Sequence, residues 1–102
     1  MSPKLTLSVE ARRELREATV WYETRSPGLG HELLMAARDC FRRIEASPAA
    51  GSLMEGVSAD AGARRILLKR FPYAIVYIEI DASVRVVAFA HLRRKPGYWR
   101  NR

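Results

Sequence analysis

Apolar residues recur at helical spacing in two consecutive segments, which predicts two helices of similar length. The first should run from Val9 to about Arg25, and the second from Leu29 or Gly30 to Ala46. Their apolar positions are Ala11, Leu15, Ala18 and Tyr22 in the first, with Trp21 alongside, and Leu33, Ala37, Cys40 and Ile44 in the second. Because only the tight turn Ser26-Pro27-Gly28 separates them, the helices should form an antiparallel hairpin.

Alternation of apolar and polar residues predicts strands in the rest of the chain. These strands are Lys4–Leu7 before the helices and Ala63–Phe71, Tyr73–Ile80 and Val84–Leu92 after them. The segment Ala49–Gly62 lacks periodicity, so it should be a loop with a short extended piece at Leu53-Met54. The connections at Pro72 and Asp81-Ala82-Ser83 are short, which favours an antiparallel meander. The prediction is one α+β domain, residues 1–102, with the helical hairpin on one face of a small antiparallel sheet (β-α-α-β-β-β).

The same alternation assigns the residues of the last two strands to the two faces of the sheet. The aliphatic face should receive the helical hairpin, and its residues are Ala74, Val76, Ile78 and Ile80, with Val84, Val86, Ala88, Ala90 and Leu92. The other face is aromatic and polar, which suits a partly open binding surface. Its residues are Tyr73, Ile75, Tyr77 and Glu79, with Arg85, Val87, Phe89, His91 and Arg93.

Charge is distributed unevenly along the chain. Residues 1–62 hold 8 Lys+Arg against 9 Asp+Glu, whereas residues 63–102 hold 10 against 2. The net charge of +7 therefore arises entirely from the last 40 residues. A localised basic segment interleaved with aromatic residues favours a polyanion or an acidic protein as the partner.

Three further features narrow the class of protein. No stretch approaches the ~18 consecutive apolar residues of a membrane span, and Met1–Leu7 has no apolar signal-peptide core. The single cysteine, Cys40, cannot form an internal disulfide, which favours a reducing cytoplasm. With so few histidines and cysteines a metal site is not expected, and neither a cofactor nor a small-molecule substrate is expected.

Several phrases resemble the RelE/ParE superfamily, the toxins of type II toxin–antitoxin modules. They are Arg65 followed by Phe71-Pro72-Tyr73, the run Phe-Pro-Tyr-Ala-Ile-Val-Tyr, and His91 before Arg93-Arg94-Lys95-Pro96-Gly97-Tyr98-Trp99. The helix phrase Ala18-Thr19-Val20-Trp21-Tyr22-Glu23, with Ser26-Pro27-Gly28-Leu29-Gly30 after it, looks like the same family. The resemblance covers nearly the whole chain. Its Phe-Pro-Tyr and His-x-x-Arg-x-Pro-Gly-Tyr-Trp phrases look closer to the ParE-like or plasmid-stabilisation branch.

The resemblance implies a toxin that a cognate acidic antitoxin binds and neutralises. Its ParE-like branch implies a growth inhibitor that poisons DNA gyrase by binding, without enzymatic activity. The residues expected to contact target or antitoxin are Arg65, Lys69, Arg70, Tyr73, Tyr77, His91, Arg93, Arg94, Lys95, Tyr98 and Trp99.

Two alternative functions stay open. RelE-like members cut messenger RNA on the ribosome, and such metal-independent cleavage needs a base, an acid and cations near the phosphate. The candidates for these roles are His91, Tyr98, Arg65 and Arg93. The second alternative is a non-toxic basic nucleic-acid-binding module, although no recognised DNA- or RNA-binding signature accompanies the charge.

Each of these candidate side chains also has a structural interpretation. His91 at a strand end can serve as a hydrogen-bonding bridge, and Tyr73 and Tyr77 can pack across strands. Arg65 can pair with a helix carboxylate, and the run Arg93–Lys95 can be a solvated tail. Trp21 and Tyr22 are expected in the core rather than at an interface.

Overall fold

The computed structural model describes residues 4–54 and 62–102, which form two long helices and a five-stranded sheet. The elements are β1 (Lys4–Leu7), α1 (Val9–Arg25), α2 (Leu29–Ala46), β2 (Ser52–Leu53), β3 (Arg64–Leu67), β4 (Tyr73–Ile80) and β5 (Ser83–His91). The spatial order is β1-β5-β4-β3-β2, with β1 parallel to β5 and the other pairs antiparallel. The predicted α+β fold is confirmed, and β1 makes the sheet mixed. The predicted loop Ala49–Gly62 contains β2, and its residues 55–61 lie outside the described residues.

Ser8 ends β1 and begins α1. Its backbone N–H donates to the Val86 carbonyl oxygen of β5 at 2.9 Å, which extends the β1–β5 pairing. Its side-chain oxygen accepts a hydrogen bond from the Ala11 N–H at 3.0 Å and so caps the helix. The chain therefore turns from sheet to helix at one residue, which holds the first turn of α1 against β5.

A tight turn brings the two helices close together. Gly28 has a φ of +91°, a conformation that favours glycine, and α2 begins at the next residue. The Glu23 carboxylate accepts hydrogen bonds from the N–H groups of Gly28 and Gly30 at 2.9 and 3.0 Å. A Cβ atom at Gly30 would lie 2.6 Å from the Thr19 carbonyl oxygen. Glycine at position 30 therefore permits the close approach of α1 and α2.

The helices cover the opposite face of β4 from the one predicted. Tyr73, Ile75 and Tyr77 pack in the core beneath the helices, whereas Val76 and Ile78 pack on the other side of the sheet. The predicted open surface is therefore wrong at Ile75 and Tyr77, which are fully buried, whereas Tyr73 is half-buried. Both faces of β4 are apolar at these positions, so the alternation alone did not distinguish them.

A bulge in β5 explains why the prediction succeeded for one half of that strand only. Tyr77 pairs with Val86 and Val76 pairs with Ala88, which leaves Val87 as an extra residue. An extra residue reverses which side chains face the core. Val84 and Val86 lie on the helix side as predicted, but after the bulge Phe89 takes that side. Ala88 and Ala90 lie on the opposite side, contrary to the prediction.

A second, smaller core covers the face of the sheet away from the helices. Its buried members are Ala63, Val76, Val87, Ala88, Ala90 and Trp99, and Met54, Ile78 and Tyr98 pack against them. Trp99 follows β5 in the chain and is only 6% exposed. The segment after β5, predicted as a basic tail, is thus partly an element of the core.

Candidate interaction site

Glu14 joins α1 to β5 and to the segment that follows it. Its Oε1 accepts hydrogen bonds from the Phe89 N–H at 3.0 Å and from Arg102 Nη1 at 2.8 Å. Its Oε2 accepts from the Tyr98 hydroxyl at 2.7 Å and from Arg102 Nη2 at 3.0 Å. The Glu14 and Arg102 side chains are only 12% and 16% exposed. This set of four residues, the Glu14 cluster, holds the segment after β5 against the helix.

The Glu14 cluster shifts the pKa values of three of its members, and the hydrogen bond to Glu14 raises the pKa of Arg102. Burial opposes ionisation of Glu14, but hydrogen bonds from Arg102, Tyr98 and the Phe89 N–H outweigh it, so the pKa of Glu14 is lowered. Burial, and then the hydrogen bond to the Glu14 carboxylate, raise the pKa of Tyr98. Tyr98 is therefore a neutral phenol that donates its hydroxyl proton in a hydrogen bond to Glu14.

Beside this cluster, a groove of about 360 Å³ lies between α1 and the ends of β4 and β5. Its lining residues are Glu14, Glu17, Ala18, Trp21, Tyr22, Tyr73, Phe89, His91, Arg94 and Tyr98. The Tyr73 and Phe89 rings stack with centroids 4.7 Å apart, and the Trp21 and Tyr22 rings meet edge to face at 4.9 Å. We call this the aromatic groove, because five of its ten lining residues are aromatic.

The aromatic groove contains polar groups that have unused hydrogen-bonding capacity. Within residues 4–54 and 62–102, tyrosine hydroxyl bonds involve Tyr77 and Tyr98, so the hydroxyls of Tyr22 and Tyr73 have no protein partner there. Burial, and then the neighbouring Tyr22, raise the pKa of Tyr73. His91 Nδ1 accepts from the Arg93 N–H at 3.0 Å, which leaves Nε2 to carry the proton of the neutral ring.

Two arginines stack closely on rings that line the aromatic groove, and a third, Arg102, lies 4.9 Å from the Tyr98 centroid. The guanidinium carbon of Arg25 lies 3.8 Å from the Trp21 ring centroid, and that of Arg94 lies 3.8 Å from the Tyr98 centroid. The ion pairs of the described residues are Arg42–Asp39, Arg70–Glu32 and Arg102–Glu14. In that part of the chain, neither Arg25 nor Arg94 is therefore paired with a carboxylate. Trp21 also remains 48% exposed.

A second depression, of about 80 Å³, lies on the face of the sheet away from the helices. Small side chains, Ala74, Val76 and Ala90, form its base together with Met54 and Trp99. Its charged lining residues are Arg65, Arg94 and Lys95, and none of its described lining residues is acidic. This basic trough suits an anion or an acidic protein segment.

The predicted contact residues divide among separate places in the structure. Arg65, Lys95 and Trp99 line the basic trough, Tyr73 lines the aromatic groove, and His91, Arg94 and Tyr98 line both. Lys69 and Arg70 lie in the β3–β4 turn near α2, where Arg70 pairs with Glu32 at 2.8 Å. Tyr77 is 0% exposed, donates its hydroxyl to the Pro48 carbonyl oxygen and accepts from the Gly51 N–H. Arg93 is exposed.

Neither Glu14 nor its ion pair with Arg102 was predicted from the sequence, and Trp21 was misplaced. Glu14 is three residues after Ala11 and four before Ala18, so it lies on the apolar stripe of α1. A carboxylate on such a stripe needs a buried partner. The position of Glu14 in the sequence was therefore a signal for a buried polar contact. Trp21 was expected in the core but is about half exposed, whereas Tyr22 packs against the core as expected.

Cys40 and the remaining candidate metal ligands supply no further site in the described residues. Cys40 is buried, and burial raises the pKa of its thiol, so it acts as a small apolar side chain. Within the two described ranges there is no group of three or more His, Cys, Asp and Glu that could hold a metal ion. In the same ranges, no helix has both the length and the apolar character needed to cross a membrane.

Comparison with known proteins identifies the architecture. No protein-family model matches this sequence, and no curated protein matches it. Among solved structures, a chain described as "Chromosomal ParDE TA system from P. aeruginosa" is similar over 90% of this chain and 98% of its own length. The TM-score is 0.65 and the sequence identity is 18%. At this identity the similarity shows that the two chains share a fold, and that fold agrees with the resemblance read from the sequence.

Proposed function

We propose that this protein is the toxin of a type II toxin–antitoxin module, that it inhibits growth by binding DNA gyrase, and that a cognate acidic antitoxin neutralises it. The similarity in fold to the ParDE system carries the proposal. The concentration of positive charge in residues 63–102 supports an acidic partner, because opposite charges speed association and favour the correct partner. Because gyrase acts in the cytoplasm, we expect this protein to act there too.

The state of the proton-transfer candidates favours action by binding over cleavage of RNA. Cleavage without a metal needs a base and an acid that are free to reach the reacting atoms. The hydroxyl proton of Tyr98 is donated to Glu14 at 2.7 Å, and the pKa of Tyr98 is raised. His91 has one ring nitrogen engaged by the Arg93 N–H. Arg65 and Arg93 are exposed cations, which serve binding without any proton transfer.

The proposal is tested with purified protein in a gyrase supercoiling assay. We expect wild-type protein to inhibit supercoiling and His91→Gln to inhibit it within about threefold of wild type, since a binding surface tolerates the loss of one side chain. The double variant Arg93→Gln/Lys95→Gln should be roughly tenfold weaker, and more so at high salt, because it removes two exposed cations. A chain cut after Leu92 is a poor test, since it also removes Trp99 and Arg102 from the fold.

Three outcomes would contradict the proposed action on gyrase. Supercoiling that is unaffected by wild-type protein would exclude gyrase as the target. Codon-specific transcript cleavage that falls roughly 10²–10⁴-fold in His91→Gln would establish the ribonuclease instead. Growth that is unchanged on induction, with retention of nucleic acid by the purified protein, would favour the non-toxic binding module.

A further inference from the structure

We propose that the aromatic groove is the docking site for one apolar side chain of the antitoxin, and that carboxylates on both sides of that side chain bind Arg25 and Arg94. This inference rests on the proposed function, because it names the place where the neutralising partner binds.

The groove has the composition of an energetically dominant contact. Trp21, Tyr22, Tyr73 and Tyr98 line it, and tyrosine, tryptophan and arginine are the residues enriched where a few side chains supply most of the binding energy. Trp21 is about half exposed although it is the largest apolar side chain of α1. A volume of about 360 Å³ accommodates one large apolar side chain with the adjoining backbone.

The polar groups of the groove are arranged for a peptide rather than for a purely apolar ligand. The hydroxyls of Tyr22 and Tyr73 have no protein partner in the described residues, and His91 has Nε2 available. A docked backbone segment can supply both donors and acceptors to these groups. Burying them without such partners would cost free energy, so the occupant must be able to form hydrogen bonds.

The two stacked arginines specify the charge of the occupant. Each guanidinium lies 3.8 Å from the centroid of a ring that lines the groove, so each is oriented by stacking while its N–H donors stay available. In the described residues neither is paired with a carboxylate. Asp or Glu on both sides of an apolar residue would complete both sites. A second copy of this chain fits poorly, because its net charge is also +7.

The test is the affinity of the purified cognate antitoxin for matched variants of this chain, measured by titration calorimetry. Trp21→Ala should bind roughly 30-fold more weakly, as expected for loss of a dominant aromatic contact. Met35→Ala, which removes another exposed apolar side chain, this one from α2, should bind as wild type does.

Arg25→Gln and Arg94→Gln should each weaken binding several-fold and reduce its salt dependence. Arg38→Gln, which makes the same change in charge on the exposed surface of α2, should do neither.

Fluorescence supplies a second readout. The two tryptophans are Trp21, half exposed, and Trp99, buried in the second core. Binding should therefore shift Trp21 emission to the blue, and Trp21→Phe should abolish that shift while retaining most of the affinity.

The outcomes separate the two proposals. Antitoxin that binds Trp21→Ala as tightly as wild type would overturn the groove as the docking site but leave the toxin proposal intact. Gyrase that wild-type protein does not inhibit would overturn the proposed target, while weakened binding of antitoxin to Trp21→Ala would still support the groove. An antitoxin that fails to bind wild-type protein would overturn both.

Discussion

The two faces of the sheet are both apolar, yet they are covered in different ways. On one face, large residues such as Ile75 and Tyr77 pack beneath two helices that are held by their own hydrogen bonds. On the other, small residues such as Ala88 and Ala90 lie beneath Trp99, which belongs to a segment held by the Glu14 cluster. The difference indicates that the helix-covered face sustains the fold, while the second face anchors a separable segment. That segment contributes Arg94 and Tyr98 to the candidate site.

The largest effect is expected on the helix side. Ile75 is fully buried in β4, and Ile75→Asp should unfold the domain, since a lone buried carboxylate costs at least several kcal/mol. The matched control is Ile80→Asp at the end of the same strand, where the side chain is about half exposed, and its melting temperature should change little. Circular dichroism melting curves measure both. An unchanged melting temperature for Ile75→Asp would mean that the helices do not cover this face.

An intermediate effect is expected on the opposite face. Trp99→Ala should cost about 3 kcal/mol in that smaller core, but α1 and α2 should stay folded because their packing does not involve Trp99. Hydrogen exchange should accelerate in residues 93–102 and remain slow in the buried stripe of α2. Arg100→Ala, which removes an exposed neighbour, serves as the control. Loss of all helical signal in Trp99→Ala would show that the two faces unfold as one unit.

The smallest effect on stability is expected at Glu14, which joins α1 to the segment after β5. Glu14→Gln should cost about 2 kcal/mol at pH 7, since it removes charge-assisted hydrogen bonds to Arg102 and Tyr98. The pKa of Glu14 is lowered in the folded protein, so its stabilisation is complete above the ordinary value of about 4.3 and is lost as the pH falls through the folded value. The difference in unfolding free energy between wild type and Glu14→Gln should therefore shrink below about pH 4. Glu17→Gln, which changes an exposed neighbour, is the control and should leave the unfolding free energy at pH 7 little changed.

Helix and strand positions were predictable because local patterns determine them. The bounds of α1 follow from Ser8 as the cap and from Ser26-Pro27-Gly28, and the prediction agrees with the structure. Face assignment in the sheet was not predictable in the same way. Strand β4 is apolar on both sides, so its sequence shows no alternation of apolar and polar residues. In β5, a single extra residue at Val87 reverses which side chains face the helices after it. Nothing in the local sequence around Val87 marks the bulge.

The candidate site was predictable only as a set of residue types. Clustering of basic and aromatic residues after position 63 directed attention to His91, Arg94 and Tyr98, which line the aromatic groove. Their grouping with Trp21 and Glu14 depends on α1 lying along β5, a contact across more than 60 positions that no local pattern contains. Lys69 and Arg70 carry the same kind of signal, yet the β3–β4 turn places them near α2.

The Glu14 cluster also occupies the part of the β5 edge that β1 leaves unpaired. β5 runs past the end of β1, which pairs only with its first residues, and the Val87 carbonyl oxygen and the Phe89 N–H lie in the part beyond. An exposed strand edge is a template on which a strand from another molecule can add. Here Ser8 and Arg102 donate to the Val87 carbonyl oxygen, and the Glu14 carboxylate accepts from the Phe89 N–H. A glutamate on a helix thus takes the position of a neighbouring strand, and an intermolecular sheet cannot grow from this edge while it is in place.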